Sequence, residues 1–151
     1  MVKKLDEISP PALIDHVGWR LWRVSRRWKQ EFEATMIGLG HGWMTETRGG
    51  VIGHLRPDGA SQASLAGAMG ISKQAVQQLV DELVVEGIVA RFPDPSDGRG
   101  KRVVLTAKGV KALEDSNAVK RRIEADYAAR LGPERLAALM AALQTLGGDP
   151  E

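Results

Sequence analysis

Two groups of side chains in this sequence are suited to hydrogen bonding across a surface. The first is Ser72-Lys73-Gln74-Ala75, followed by Gln77 and Gln78. Glutamine donates and accepts at once, which matches the paired acceptor and donor on the edge of adenine. Ala75 is small enough to admit a thymine methyl. Ser72 and Lys73 stand where a helix begins, and free N–H groups at a helix start favour anions such as phosphate. The second group is Asp97-Gly98-Arg99-Gly100-Lys101-Arg102. A planar guanidinium between two glycines is unhindered and fits a narrow minor groove. Lys101 and Arg102 can reach phosphates, and Asp97 can brace Arg99. The alternative is an ordinary polar helix face beside a solvated hairpin.

The intervening elements decide whether these groups can act together. Ser61 caps a helix over Gln62–Met69, whose buried face is Leu65, Ala66 and Met69. Gly70 stops it in a left-handed turn, Ile71 bridges, and Ser72 caps the next run, Lys73–Glu86. There Val76, Leu79, Val80 and Leu83 form the core stripe, leaving Lys73, Gln74, Gln77, Gln78 and Asp81 outward. Gly87 ends that helix. A strand over Ile88–Phe92, a polar loop over Pro93–Arg102 and a return strand over Val103–Thr106 complete the pattern. Helix, tight turn, helix and a two-stranded ribbon with a basic tip is the order of a winged helix-turn-helix. Between Ser61 and Thr106, five cations meet five carboxylates, but three of the cations fall within Arg99–Arg102. The positive charge is concentrated rather than large.

Helices are expected on both sides of this segment. Ser9-Pro10-Pro11 reads as a helix start, and Leu13, Val17, Leu21, Val24, Trp28 and Phe32 recur at helical spacing. Trp19 and Trp22 lie off that stripe. Arg20, Arg23 and Arg27 form a second stripe, read as a solvated or ion-paired face or as an anion contact. Gly38, Gly40 and Gly42 end this helix. Thr45 caps another that runs to about Leu55, in which Gly49-Gly50 is either a weakness or a site of close packing. Pro57-Asp58-Gly59 is a turn. Thr106 caps a charged helix from Ala107 to about Leu131. Pro133–Leu146 forms a last one, with Leu136, Leu139, Met140, Leu143 and Leu146 on its apolar face and a frayed tail after it.

Several sequence patterns together resemble MarR-type regulators. They are Leu65-Ala66, Gly70-Ile71-Ser72, Val80-Asp81-Glu82-Leu83, Gly87-Ile88-Val89-Ala90-Arg91, Asp94-Pro95-Ser96-Asp97-Gly98-Arg99 and Val103-Val104-Leu105-Thr106-Ala107-Lys108-Gly109. The specific part is Asp-Pro-x-Asp-x-Arg followed by Leu-Thr-x-x-Gly. The resemblance implies a mainly α fold with a small β-hairpin wing (α+β), one MarR-type domain over 1–151. Residues 43–106 would be the DNA-binding lobe, and 9–38 and 107–147 the dimerisation helices. It implies a homodimer on a palindromic operator in double-stranded DNA. Ser61, Ser72, Lys73, Gln74, Ala75, Gln77, Gln78, Asp97, Arg99, Lys101 and Arg102 would contact that duplex. Leu13, Val17, Leu136, Leu139 and Leu143 are the candidate dimer contacts. Many relatives release DNA when a small molecule, often an aromatic acid, binds between the dimer helices and the DNA lobe. His16, Trp19, Arg23, Trp43 and Arg48 are candidates for lining such a pocket, with core or surface packing as the alternative. Ser64 stands where the family often has glutamate, so the capping box begun by Ser61 is incomplete.

Composition narrows the remaining readings. The 151 residues contain no cysteine, which excludes disulfides, thiolate metal sites and thiol redox sensing. His16, His41 and His54 are scattered, so no metal site and no cofactor are expected. The net charge is +2 and the pI about 9.1. No apolar run approaches the roughly 20 residues needed to span a bilayer, and the first residues turn acidic too soon for a signal peptide. A cytoplasmic regulator is the first reading, and a repressor in particular. A DNA-architecture or protein-interaction module without an effector is the second. An enzyme is the weakest, because no nucleophile–base pair or phosphate loop is present.

Overall fold

The computed structural model describes residues 11–148. The helix start expected at Ser9-Pro10 and the tail after Gly148 lie outside them. Along the described chain run α1 (Val17–Gly38), α2 (Glu46–Gly53), β1 (Ala60–Ser61), α3 (Gln62–Met69), α4 (Lys73–Val85), β2 (Val89–Asp94), β3 (Asp97–Leu105), α5 (Ala107–Leu131) and α6 (Pro133–Gly147).

The helix starts follow the capping chemistry. Thr45, Ser61, Ser72 and Thr106 each accept a hydrogen bond from the backbone N–H three residues on. Gly70 closes α3 at φ 63°, the left-handed stop anticipated there. The first helix departs from expectation. Residues 11–16 are not helical, and α1 starts only after His16, whose Nδ1 accepts from the Trp19 N–H at 3.3 Å. Leu13 therefore stands before the helix and is fully exposed. The periodic spacing from Leu13 continued the apolar stripe past the point where His16 caps the backbone.

The ribbon also differs. It is a three-stranded antiparallel sheet in the order β1-β3-β2, not two strands. The added strand is short, pairing Ala60 with Val103 and Ser61 with Arg102. Most of the expected Pro93–Arg102 loop is strand, and only Pro95-Ser96 form the turn. Glycine, proline and aspartate at six of those ten positions read as loop. Cross-strand pairing overrides that local signal.

The core gathers under α4. Val76, Val80 and Leu83 are fully buried against Val51, Leu65, Ile88 and Val103, with Met36 of α1 and Ile123 of α5 in the same cluster. The glycine pair in α2 permits close packing, since a Cβ on Gly50 would lie 3.2 Å from Met69 Cε. The junction of sheet and α5 is tighter still. Thr106 Oγ1 donates to the Gly87 carbonyl at 2.6 Å and accepts from the Gly109 N–H at 3.1 Å. A Cβ on Gly109 would fall 2.1 Å from the Ile88 carbonyl oxygen. His41 Nε2 lies 2.9 Å from Asp115 Oδ2, which joins the turn after α1 to α5. Gly109→Ala is expected to cost about 1–3 kcal/mol through overpacking against backbone. Thermal or urea unfolding measures it, and an unchanged midpoint would contradict the close approach.

Candidate nucleic-acid interface

One exposed arc of α4 carries Lys73, Gln74, Gln77, Gln78 and Asp81, opposite the buried stripe. Ala75 is half-buried at its edge. Ser72 Oγ accepts from the Ala75 N–H at 3.1 Å, and Ser61 Oγ accepts from the Ser64 N–H at 3.0 Å. Both serines are thus caps first, each keeping a hydroxyl proton to donate.

Two carboxylates on α4, Asp81 and Glu82, would repel phosphate if left alone. Each is neutralised by an arginine from another element. Arg91 of β2 places its guanidinium 2.6 Å from Asp81 Oδ1 and 3.3 Å from Gln62 Oε1, and donates to the Gln77 carbonyl at 3.4 Å. Arg48 of α2 lies 2.6 Å from Glu82 Oε2 and donates to the Trp43 carbonyl at 3.1 Å. The sequence marked Arg91 and Glu82 only as parts of a motif, and Asp81 as an outward residue besides. Their pairing crosses from one element to another and has no local signature.

The wing holds Arg99 differently from the expected tip. Pro93 pairs with Lys101 and Asp94 with Asp97, so Gly98, Arg99 and Gly100 bulge out of β3 with no partner on β2. Asp97 Oδ1 accepts the Arg99 backbone N–H at 3.0 Å, a brace on the backbone rather than the guanidinium. Arg99 is exposed and, among the described residues, in no ion pair. The same holds for Lys73 and Lys101. Arg102 is committed elsewhere: its guanidinium donates to the Asp58 carbonyl at 2.7 Å and to Asp58 Oδ2 at 3.0 Å, and lies 3.6 Å from Asp94 Oδ1. It fastens the wing to the turn before β1.

The five residues expected to line a pocket fall in two separate places, His16, Trp19 and Arg23 at the start of α1 and Trp43 and Arg48 at α2. His16 caps α1, and Trp19 stacks on Trp22 with ring centres 4.8 Å apart, near Arg23 at the exposed start of α1. Trp43 is in the core, its Nε1 buried without an acceptor among the described residues. Arg48 is taken by Glu82. A cleft of about 290 Å³ lies instead between α1, α2 and α5. Its apolar walls are Trp28, Phe32, Met44, Ile52 and Leu113, and Lys29, Glu33 and Lys120 stand around them. The rings of Trp28 and Phe32 stack at 5.2 Å, and Lys120 Nζ lies 5.8 Å from the Phe32 ring centre. The apolar stripe of α1 contained Trp28 and Phe32, but periodicity does not reveal that a gap remains beside them.

Of the candidate dimer contacts, Leu136 is buried within the chain. Val17, Leu139 and Leu143 are exposed, together with Leu21, Val24, Met140 and Leu146. Among the described residues no cluster of three or more His, Asp or Glu could hold a metal, and no helix is long and apolar enough to cross a membrane.

The sequence model of a family described as MarR family matches residues 44–100, from just before α2 to the wing bulge. The winged-helix segment is similar to the MarR family. A putative transcriptional regulatory protein for the hcr operon of Thauera aromatica is 31% identical over 88 residues, which are 58% of this chain and 53% of that protein. The chain thus spans about half the length of that curated relative. Solved MarR-type structures share the fold. MepR of S. aureus bound to DNA superposes with a TM-score of 0.70 at 21% identity, over 88% of this chain and 97% of that one. Apo MarR of E. coli gives 0.69 at 22% identity, over 89% and 98%. A MarR-family regulator of Rhodococcus sp. RHA1 gives 0.67 at 22%, over 87% and 92%.

One carboxylate of the wing, Asp94, is held by close hydrogen bonds. Ser96 donates to Asp94 Oδ1 from its hydroxyl at 2.7 Å and from its N–H at 2.9 Å. These bonds, with Arg102 behind them, hold the Asp94 carboxyl below its ordinary range. A lowered carboxyl pKa stabilises the fold above the ordinary value, and that contribution disappears as pH falls through the lowered one. Wild type should therefore exceed Asp94→Asn in urea midpoint at pH 7, with the gap closing below about pH 4. A gap independent of pH would contradict the Asp94 geometry.

Proposed function

We propose that this chain is a sequence-specific, DNA-binding transcriptional regulator, acting in the cytoplasm as a homodimeric repressor on a palindromic operator. The observation that carries the reading is the pairing of a glutamine-rich arc on α4, its one carboxylate neutralised by Arg91, with an arginine outside any ion pair among the described residues on a bulged wing. The arc can present Gln74, Gln77 and Gln78 to base edges while Lys73 meets phosphate, and Arg99 can enter the neighbouring minor groove. Arg48 and Arg91 cancel the two carboxylates that would oppose this approach. MepR of S. aureus, similar in fold, is solved as a DNA complex, which supports DNA as the partner.

The domain reading assigns the duplex to residues 43–106 and the second copy to 9–38 and 107–147. The exposed leucines and valines of α1 and α6 support it, since a chain with this much apolar helix surface gains by pairing. The cleft beside Trp28 and Phe32 is proposed as the effector site. It is near the small end of ligand cavities, roughly 300–1,000 Å³. Aromatic walls with two lysines nearby favour a small aromatic acid. Such a ligand releases DNA only if it binds free protein better than bound protein.

Selection of bound sequences from random duplex tests the function directly. An inverted repeat with half-sites about one helical turn apart is expected. Recovery of no preferred sequence would overturn the reading. On the selected site, Arg99→Ala should weaken binding by about 1–3 kcal/mol in fluorescence anisotropy. Unchanged affinity would remove the wing from the interface. Gln74→Ala and Gln77→Ala should reduce discrimination between sites more than affinity for unrelated DNA. Equal losses on every sequence would show that these glutamines do not read bases.

A further inference from the structure

The short helix α2 stands between the cleft and α4. Gly49, Ile52 and Gly53 line the cleft, so an occupant would rest partly on the α2 backbone itself. From the flank of the same helix, Arg48 extends to α4. Its Nε donates to Glu82 Oε2 at 2.8 Å, and a terminal nitrogen lies 2.6 Å from the same oxygen. The other oxygen of Glu82 accepts from Gln78 Nε2 at 3.5 Å. Gln78 belongs to the outward arc. A chain of contacts therefore runs from the cleft wall, through one ion pair, to an outward side chain of α4.

The geometry points to Arg48 as a positioning residue that transmits occupancy of the cleft to α4 through Glu82. The inference rests on the proposed DNA-binding function and extends it to regulation. Three features support a mechanical link. Arg48 also donates to the Trp43 carbonyl, so its guanidinium is fixed at both ends and is only about a quarter exposed. A charge pair in partly buried surroundings is screened less by salt than one in open solvent. The α2 helix packs on α3 through Gly50 against Met69 and on the core beneath α4 through buried Val51, so α2 and α4 share one packed seat. A ligand pressing on Gly49 and Gly53 would therefore move α2 with Arg48 attached, and Glu82 would follow. Such a link is physical coupling only if both ends bias the same element, which is a measurable claim.

A double-mutant cycle on operator affinity tests it. Gly53→Phe serves as a built-in occupant, because a Cβ at Gly53 meets nothing within 4 Å and the position lines the cleft. In the otherwise unchanged chain this wedge should weaken binding to the selected duplex by about tenfold, within the usual range of coupling between sites. In the Glu82→Gln background, and in Arg48→Met, the same wedge should cost no more than about threefold. Glu82→Gln keeps shape and volume, so it carries the test should Arg48→Met fold poorly in a thermal melt. A wedge that costs the same factor in all backgrounds overturns the relay, as does a wedge without effect in the parent chain. Benzoate titration followed at the Trp28 indole NMR signal is a separate arm. No shift there removes the effector reading of the cleft, while the cycle still decides the relay.

Discussion

A helix that is to read a surface must bury one face and offer the other, and the thirteen residues of α4 do both. Val76, Val80 and Leu83 fix α4 from behind with no exposure at all. That apolar seat leaves rotation about the helix axis to be settled by polar contacts at its flanks. Arg91 from the sheet and Arg48 from α2 supply them, one on each neighbouring carboxylate. The same two ion pairs remove the negative charge that would keep α4 from a phosphate backbone. Orientation and electrostatics are thus set by one pair of contacts, and everything proposed for the outward glutamines depends on them.

The arginines of the lobe divide into fixed and free. Arg48, Arg91 and Arg102 are half-buried and each ties two elements together, which a planar guanidinium with several donors does better than an ammonium. Arg99 is kept apart by a bulge whose backbone Asp97 holds. Lys73 and Lys101 remain in solvent. Net charge could not have separated these roles, since the segment is balanced overall. The separation comes from which cations have a carboxylate within reach, and that is a property of the folded chain.

Local chemistry made part of this legible beforehand. The four caps, Gly70 and the limits of α3 to α6 follow from side chains acting on backbone within three or four residues, and sequence displays such interactions directly. The wing shows the limit. Glycine, proline and aspartate around Arg99 read as loop, whereas pairing with β2 and β1 makes strand and pushes the irregularity into a three-residue bulge. Pocket residues were least legible. Trp43 and Arg48 are polar-capable and near the right elements, yet one fills the core and the other pairs across 34 positions of sequence. The gap beside Trp28 is a failure of three helices to close, which no single stretch of chain records.

An NMR titration of isotope-labelled protein with its selected duplex addresses the central claim most directly. Backbone and side-chain amide signals of Lys73–Gln78 and of Gly98-Arg99-Gly100 should shift together, and those of α6 should stay in place. Shifts confined to α1 and α6, with the α4 arc and the wing bulge unmoved, would contradict the account.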